Sequence, residues 1–199
     1  MRNIDISKFL IQIVWAFSNT VEAKDKYTGG HSMRVADYTI ALCQKAGKSD
    51  DFIQNAYTTA LLHDIGKIGV PDVIINKPGR LTEEEFAIMK QHPIIGNNIL
   101  KVVTEVPDIA TGARWHHERW DGNGYPDGLK EFEIPEIARI ICVADAYDAM
   151  TSARSYRDIM PQEMVKDAIY KGIGSQFDPD YASLMLQIIE DDMSYNMRG

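Results

Sequence analysis

Residues 134–152 read IPEIARIICVADAYDAMTS, and this stretch indicates the class of fold. It is mostly apolar and far longer than an ordinary strand, so it predicts a long, largely buried helix. Two acids interrupt it, Asp145 and, one helical turn further along the same face, Asp148. A charged carboxylate in an apolar helix is costly unless it is balanced. Asp145 is therefore either the ligand of a cation or a buried acid satisfied by an arginine or a backbone donor.

Helical spacing of apolar residues continues on both sides of this stretch, without strand alternation of useful length, internal repeats or a low-complexity linker. Thr82 and Glu85 form the S/T-x-x-E pattern of a capping box. The segment 68–80, IGVPDVIINKPGR, is expected to be a loop with at most a short helix. Expected helix starts are Asp5 or Ser7, the residues after YTGGH, Ser49 or Asp50, Thr82, Pro93, Pro107 and Asp178.

Five of these helices also have an expected end. The first is expected to run to about Lys24, the second to end at Gly47 and the third to stop near Gly66. The helix after Thr82 is expected to reach about His92, and the one near Pro107 to end at the paired histidines. The prediction is an all-α fold, a single helical-bundle domain over 1–199. Residues 1–26 form its N-terminal helix, which could be the end of a connecting helix, and 27–199 form its core.

Composition limits the function classes. The chain has 199 residues, a net charge of −8 and a pI of about 5.1, so it repels nucleic acid polymers and anionic membranes. An anionic substrate would need local cations. The two cysteines, Cys43 and Cys142, lie in apolar helical patterns and are expected to be reduced core thiols, with a disulfide between them as the alternative. No signal peptide is recognised, and a cytoplasmic location is expected.

The longest apolar run, FLIQIVWAF at 9–17, is too short to span a bilayer and contains a glutamine. It predicts an amphipathic first helix. Its apolar stripe, formed by Phe9, Ile13 and Phe17, has two uses: packing in the core, which we expect, or the interface of a homodimer.

All five histidines lie at expected helix ends or helix–loop junctions. One histidine alone is usually structural, but pairs of ligand residues on separate helices can meet when a bundle forms. His63 and Asp64 end the apolar run TTALL, where a carboxylate again needs a balancing cation. The candidate metal ligands are His31, His63, Asp64, His92, His116, His117 and Asp145.

The candidate set contains five imidazoles, two carboxylates and no thiolate. Such a mixed nitrogen and oxygen set suits iron, manganese or zinc, and it differs from the cysteine-rich set of a structural zinc site. Seven ligands exceed the need of one ion. Asp64 is the natural bridge between two, because its neighbour His63 can bind one of them. Two ions about 3.5–4 Å apart, with a bridging hydroxide between them, form an arrangement that hydrolyses phosphoesters.

Six blocks now resemble, in order, the HD-GYP family, a branch of the HD-domain metal-dependent phosphohydrolases. The resemblance extends from about Tyr27 to Pro179. The blocks are HDIGKIGVPD, KPGRLTEEEF, QHP, HHERWDGNGYPDGL, IPEIARIICVADAYDAMTSARSYR and QFDP. It implies a helical fold and a phosphodiesterase that hydrolyses cyclic di-GMP to pGpG, GMP or both. It also matches the seven candidate ligands to the family's metal-ligand positions one by one.

The resemblance implies further roles. Lys67 matches a lysine that contacts the hydroxide or the scissile phosphate, and Asp64 and Lys67 are the expected catalytic residues. Arg154 and Arg157 match a cationic pair that binds substrate phosphate, and Tyr125 lies in a loop that lines the substrate groove. The alternatives are a solvated lysine, a surface pair of arginines, and a tyrosine that covers the edge of the core. The Gly-rich loop GNGYPDG is expected to be a flexible, mobile wall of the groove.

Some relatives carry a glutamate at the position of Tyr27 and use it to help hold a third ion. A phenol replaces it poorly, so we predict two ions, iron or manganese, with zinc, magnesium, nickel and cobalt as alternatives. Asp148 is expected to support a ligating histidine or Lys67. Arg157 departs mildly from the family, where lysine is frequent at that position.

Two rival functions stay open. The first is phosphodiesterase activity on another cyclic dinucleotide, such as cyclic GMP-AMP. The second is a module that senses cyclic di-GMP or docks on a partner without turnover. It is disfavoured because all seven candidate metal ligands and Lys67 are present. A diguanylate cyclase or a sensor or receiver domain is a further expected partner.

Overall fold

Ten α-helices and two 3-10 helices form the described part of this chain. The structure is a computed structural model, and it describes residues 5–25, 29–152 and 159–192. Within these ranges it contains no strand, so the all-α prediction is confirmed. The α-helices are α1 Ile6–Glu22, α2 His31–Lys45, α3 Asp50–Leu61, α4 Asp72–Ile75, α5 Glu83–Met89, α6 His92–Leu100, α7 Ile109–Trp115, α8 Glu136–Thr151, α9 Gln162–Gly172 and α10 Pro179–Asp191. The 3-10 helices are Ile65–Gly69 and Glu131–Glu133.

Most predicted helix starts are explained by side chains that cap them. Asp5 accepts a backbone N–H of the first turn of α1 at 3.2 Å, and Ser49 does the same for α3 at 3.3 Å. The capping box is present, with the Glu85 carboxylate 2.7 Å from the Thr82 backbone nitrogen. Asp178 caps α10. Local side-chain chemistry therefore determines where these helices begin.

Helix ends differ more from expectation. α3 ends at Leu61 rather than near Gly66, and the chain tightens into the 3-10 helix Ile65–Gly69. There Gly66 packs so closely on α6 that a β-carbon would lie 1.9 Å from the carbonyl oxygen of His92. The tight turn serves this close approach. The helix after Thr82 ends at Met89 rather than at His92, which instead begins α6.

The main core lies between α2, α3, α8, α9 and α10. Tyr38 and Tyr147 pack edge to face with ring centroids 4.8 Å apart. Cys43 and Cys142 are buried and unpaired, so the predicted core thiols are confirmed. A second cluster joins the end of α1 to α6 and α7. Together the two clusters hold the ends of α2, α3, α6 and α7 close to α8.

The first helix is apolar on two sides. Val14 and Val21 pack against the second cluster. Phe9, Ile13 and Phe17 are 49%, 38% and 58% exposed, so the expectation that this stripe packs in the core is wrong. Among the described helices, none combines the length and the hydropathy that crossing a membrane requires.

Candidate metal centre

Five histidines meet where four helices end. His31 begins α2 and His92 begins α6. His63 lies two residues after the end of α3, and His116 and His117 follow α7. The predicted location of the histidines at helix ends is therefore confirmed. Because helix ends converge between the two hydrophobic clusters, residues far apart in sequence become neighbours.

Asp64 lies at the centre of this group. Its Oδ1 is 3.2 Å from Nε2 of His92 and 3.7 Å from Nε2 of His116. Its Oδ2 is 3.5 Å from Nε2 of His63 and 3.6 Å from Nε2 of His31. The two oxygens of one carboxylate thus face two different pairs of imidazoles. This is the geometry expected of a bridging carboxylate.

Among the described residues, two groups bring ligand atoms within 4.8 Å of one another. Asp145 of α8 completes the first group, since its Oδ1 lies 3.5 Å from Nε2 of His31. The first group is His31, His63 and Asp145, and the second is Asp64, His92, His116 and His117. All seven predicted ligands are therefore brought together, and they separate into two sets around Asp64.

Hydrogen bonds orient four of the imidazoles. His63, His92 and His116 each direct Nδ1 at the carbonyl oxygen three residues earlier, at 2.6, 2.8 and 3.0 Å. Nδ1 of His31 lies 2.7 Å from Oδ2 of Asp148. A carbonyl only accepts, so Nδ1 of the first three rings carries the proton, and Nε2 presents a lone pair to the site.

These lone pairs face either no polar partner or other acceptors. Nε2 of His63 is buried without a hydrogen bond to any described residue. Nε2 of His92 and Nε2 of His116 are 3.4 Å apart, and both face the carboxylate of Asp64. Such crowded acceptors repel one another unless cations lie between them. The donor set therefore fits divalent metal ions.

The centre has strongly shifted protonation equilibria. Burial would raise the pKa of Asp64, but the Lys67 ammonium, 2.6 Å from Oδ2, and the nearby imidazoles hold it well below its usual range. Burial would lower the pKa of Lys67, and the same ion pair raises it instead. Both groups are therefore held charged at neutral pH. Lys67 therefore lies directly beside the Asp64 carboxylate, and its expected contact with a hydroxide or a phosphate stays a prediction.

The imidazoles divide into two kinds. Burial lowers the pKa of His63 and of His116, and it lowers the pKa of His117 to about 3. Burial also acts to lower the pKa of His31, but hydrogen bonds to Asp148 and Asp64 raise it to about 9. Neutral imidazole is the form that binds metal.

Asp148 lies next to His31 in a buried network. Its Oδ1 accepts from Nε of Arg34 at 2.6 Å and from the Ser152 hydroxyl at 3.0 Å. Burial would raise the pKa of Asp148, but the hydrogen bonds with His31 and Arg34 lower it to about 2. Sequence reasoning missed Arg34. Its signal is position, because Arg34 lies three residues after His31 on the same face of α2.

Tyr125 covers one side of the centre. Its ring stacks on His117 with centroids 4.8 Å apart and planes inclined by 28°. Both residues line a cavity of about 430 Å³, together with Asp145, Met150 and Gln176. The Tyr125–Pro126 peptide bond is cis. The cavity opens directly onto donors of both metal groups.

Hydrogen bonds anchor the glycine-rich loop, and its expected mobility stays a prediction. Buried Glu118 accepts the backbone N–H groups of Asp127 at 2.7 Å and Gly128 at 3.1 Å. A β-carbon on Gly124 would lie 2.5 Å from the α-carbon of Glu118. Gly124 therefore allows close packing. Sequence reasoning missed Glu118, although an acid directly after two ligand histidines is a usable signal.

Three predicted positions lie outside the described residues. Tyr27, Arg154 and Arg157 fall in the two internal gaps of the described ranges. Their expected roles stay predictions from sequence.

Comparison with known proteins identifies the class. The family model described as HD domain matches residues 16–181, and the chain belongs to this family. A cyclic di-GMP phosphodiesterase of Thermotoga maritima is 42% identical over 183 residues, covering 90% of this chain and 50% of that protein. A 3′3′-cGAMP-specific phosphodiesterase of Vibrio cholerae is 36% identical over 192 residues, covering 92% and 36%.

A solved structure is similar in fold. An HDG"Y"P protein from Bdellovibrio bacteriovorus has a TM-score of 0.65 and 24% identity, over 80% of this chain and 51% of that chain. The resemblance to HD-GYP proteins drawn from the sequence is confirmed. The chain spans half or less of the length of the two phosphodiesterases that it matches.

Proposed function

We propose that this chain is a metal-dependent phosphodiesterase that hydrolyses cyclic di-GMP, with residues 27–199 as its catalytic core. One observation carries the proposal: the two oxygens of Asp64 face different imidazole pairs at 3.2–3.7 Å. A carboxylate in that position can serve two ions at once. Centres with two ions are those that hydrolyse phosphodiesters.

His31, His63 and Asp145 would hold one ion, and the histidines of the second group would hold the other, with Asp64 shared. Two ions of iron or manganese suit this mixed nitrogen and oxygen set. When bound, such ions lower the pKa of coordinated water and neutralise charge on phosphoryl oxygens. The predicted limit of two ions rests on Tyr27.

The remaining residues bind and orient. The Lys67 ammonium, held beside Asp64, provides positive charge where a phosphate would reach the centre. Tyr125 and His117 give the cavity an aromatic wall suited to a nucleotide. Arg154 and Arg157 remain the expected phosphate ligands, because an acidic chain must hold a phosphodiester with local cations. The two buried, unpaired cysteines support a reducing, cytoplasmic setting.

Substitution of the bridge tests the proposal. In Asp64→Asn the shared carboxylate is lost, so we expect cleavage of cyclic di-GMP to fall by at least about a thousandfold. We also expect the metal content of anaerobically purified protein to fall from two ions per chain to one or none. Product identification by chromatography distinguishes pGpG from GMP.

Asp51→Asn is the matched control, because Asp51 lies exposed in the first turn of α3, away from the centre. It should retain wild-type cleavage and two ions. If folded Asp64→Asn protein, checked by circular dichroism, cleaved at the wild-type rate, the proposed centre would be wrong.

Another cyclic dinucleotide is the second candidate substrate. One of the similar proteins is named as a phosphodiesterase of cyclic di-GMP, and another is named as specific for cGAMP. Turnover of both compounds, measured side by side under the same metal loading, decides between them. A docking module without turnover would require wild-type protein to bind the dinucleotide and leave it intact.

We also propose that α1 pairs with α1 of a second copy of this chain. Ile6 and Leu10 extend the stripe of Phe9, Ile13 and Phe17, and none of these residues is charged. Ile6, Leu10, Ile13 and Phe17 follow the 4-3-4 spacing of a coiled-coil seam. Together with Phe9, these side chains are 38–69% exposed. Pairing would bury on the order of 1,000 Å² in total, the lower range of specific interfaces.

A further inference from the structure

We propose that Glu22 and Lys24, at the C-terminal end of α1, are positioning residues for the metal centre. One holds the start of α2, which carries His31, and the other holds the 3-10 helix Ile65–Gly69, which carries Lys67. The inference rests on the proposed function for the roles of His31 and Lys67. The contacts themselves are independent of it.

Glu22 fixes the first turn of α2. Its Oε2 accepts the backbone N–H of Gly30, and its Oε1 accepts that of Ser32, both at 2.7 Å. These two amides flank His31, the first residue of α2. Gly30 has no side chain with which to cap the helix, so a carboxylate from α1 supplies the acceptors. The position of His31 therefore depends on α1.

Lys24 holds the 3-10 helix from its other end. Its ammonium donates to the carbonyl oxygens of Lys67 at 3.3 Å, Ile68 at 2.8 Å and Val70. It also lies 3.3 Å from a carboxylate oxygen of Asp72. Carbonyls at the end of a helical turn attract a cation, and three of them converge on this one. Lys24 thus fixes the backbone from which Lys67 extends.

Asp25, the residue after Lys24, lies near the side chain of Lys67. Oδ2 of Asp25 is 3.9 Å from the Lys67 ammonium, on which Asp64 also acts at 2.6 Å. Residues 22–25 therefore contact two elements that supply different parts of the centre. Glu22 contacts the backbone at the start of α2, whereas Lys24 contacts the backbone of the 3-10 helix. Substitution of each residue should therefore change a different measurable property of the centre.

Glu22→Gln removes the charge and leaves one acceptor oxygen for two N–H groups. We expect the Mn²⁺ dissociation constant to rise about tenfold, as for other residues that orient a ligating histidine. Amide hydrogen exchange should accelerate in residues 29–34. The kcat at saturating Mn²⁺ should stay within about twofold of wild type, because excess metal refills the centre.

Lys24→Met removes the donor from three carbonyls. We expect kcat at saturating Mn²⁺ to fall about tenfold at nearly constant KM, since Lys67 is displaced. Mn²⁺ affinity should stay within about twofold, and exchange should accelerate in 65–70. Lys24→Arg keeps donors for the carbonyls, so it should recover most of kcat.

Lys8→Met on α1 and Glu163→Gln on α9 are the matched controls, and both should behave as wild type. The proposal is overturned if Glu22→Gln leaves Mn²⁺ affinity and exchange in 29–34 unchanged, or if Lys24→Met leaves kcat and exchange in 65–70 unchanged. It is also overturned if both variants lower only the melting temperature. If wild-type protein bound Mn²⁺ without cleaving cyclic di-GMP, the proposed function would fail, while Mn²⁺ affinity and exchange would still test both residues.

Discussion

Glu118 is the residue whose importance is least visible from its type. It is 2% exposed, and one of its carboxylate oxygens accepts two backbone N–H groups of the loop that carries Tyr125. The other oxygen is buried without a hydrogen bond to any described residue. Burial raises the pKa of this carboxyl group, and the hydrogen bonds to the loop offset only part of that increase. The loop thus depends on a carboxyl group in an unfavourable environment.

Truncation of Glu118 should loosen this loop. We expect Glu118→Ala to lower the free energy of unfolding by about 1–3 kcal/mol, because two buried N–H groups lose their acceptor. KM for the dinucleotide should rise. Glu118→Gln keeps an acceptor oxygen and should lie closer to wild type. Urea denaturation and steady-state kinetics measure both effects, with exposed Glu163→Ala as control. Equal stability of wild type and Glu118→Ala would contradict this account.

Several candidate ligand residues could be recognised in the sequence because they carry a local signal. His63 and Asp64 end an apolar run, and Asp145 interrupts a buried helix, so charge and burial conflict at those positions. Glu22 carries no such signal. Its partners lie at the start of another helix, and sequence spacing does not reveal contacts of that kind.

At the scale of elements, α1 is the helix that departs most from expectation. An amphipathic helix normally buries its only apolar face, but α1 buries Val14 and Val21 and exposes a second apolar face beside them. Periodicity alone could not separate the two, because both faces are apolar and adjacent. Only packing against α3 and the 3-10 helix Ile65–Gly69 decides which face is buried.

Self-association tests the exposed face. Ile13→Lys introduces a charge at the middle of the stripe, so we expect the dimer dissociation constant to rise at least about tenfold. Sedimentation velocity across a concentration series measures it. Gln12→Lys adds the same charge one residue earlier, on the polar side of α1, and should leave association unchanged.

A monomeric wild-type protein at all concentrations would rule out pairing through α1. Dimerisation that persists unchanged in Ile13→Lys would place the interface elsewhere.

At the scale of the whole molecule, the centre concentrates ionisable groups where the two hydrophobic clusters meet. Such a site stabilises the fold only in suitable protonation states. His63, His116 and His117 have a pKa below 6.5 in the folded chain, so the unfolded chain binds more protons as pH falls below 6.5. The free energy of unfolding therefore decreases as the pH falls below 6.5. His31, with a pKa of about 9, contributes stability below pH 6.5 and loses it as pH rises through 9.

Metal-free protein should accordingly become less stable from pH 7 to pH 5. Each buried neutral imidazole contributes up to about 1.4 kcal/mol per pH unit to this loss. Thermal unfolding in chelator, followed by circular dichroism, measures the slope. His117→Asn removes one imidazole and should reduce the slope. Identical slopes in the two proteins would contradict the buried neutral state of His117.

The helix that carries the exposed stripe also carries Glu22 and is followed directly by the turn that contains Lys24, so dimerisation and metal binding can be coupled. If pairing of α1 stabilises the arrangement that binds ions, thermodynamic linkage requires ion binding to strengthen pairing by the same factor. Metal affinity would then depend on protein concentration. The ratio of the dimer dissociation constants with and without Mn²⁺ would equal the ratio of Mn²⁺ affinities of dimer and monomer.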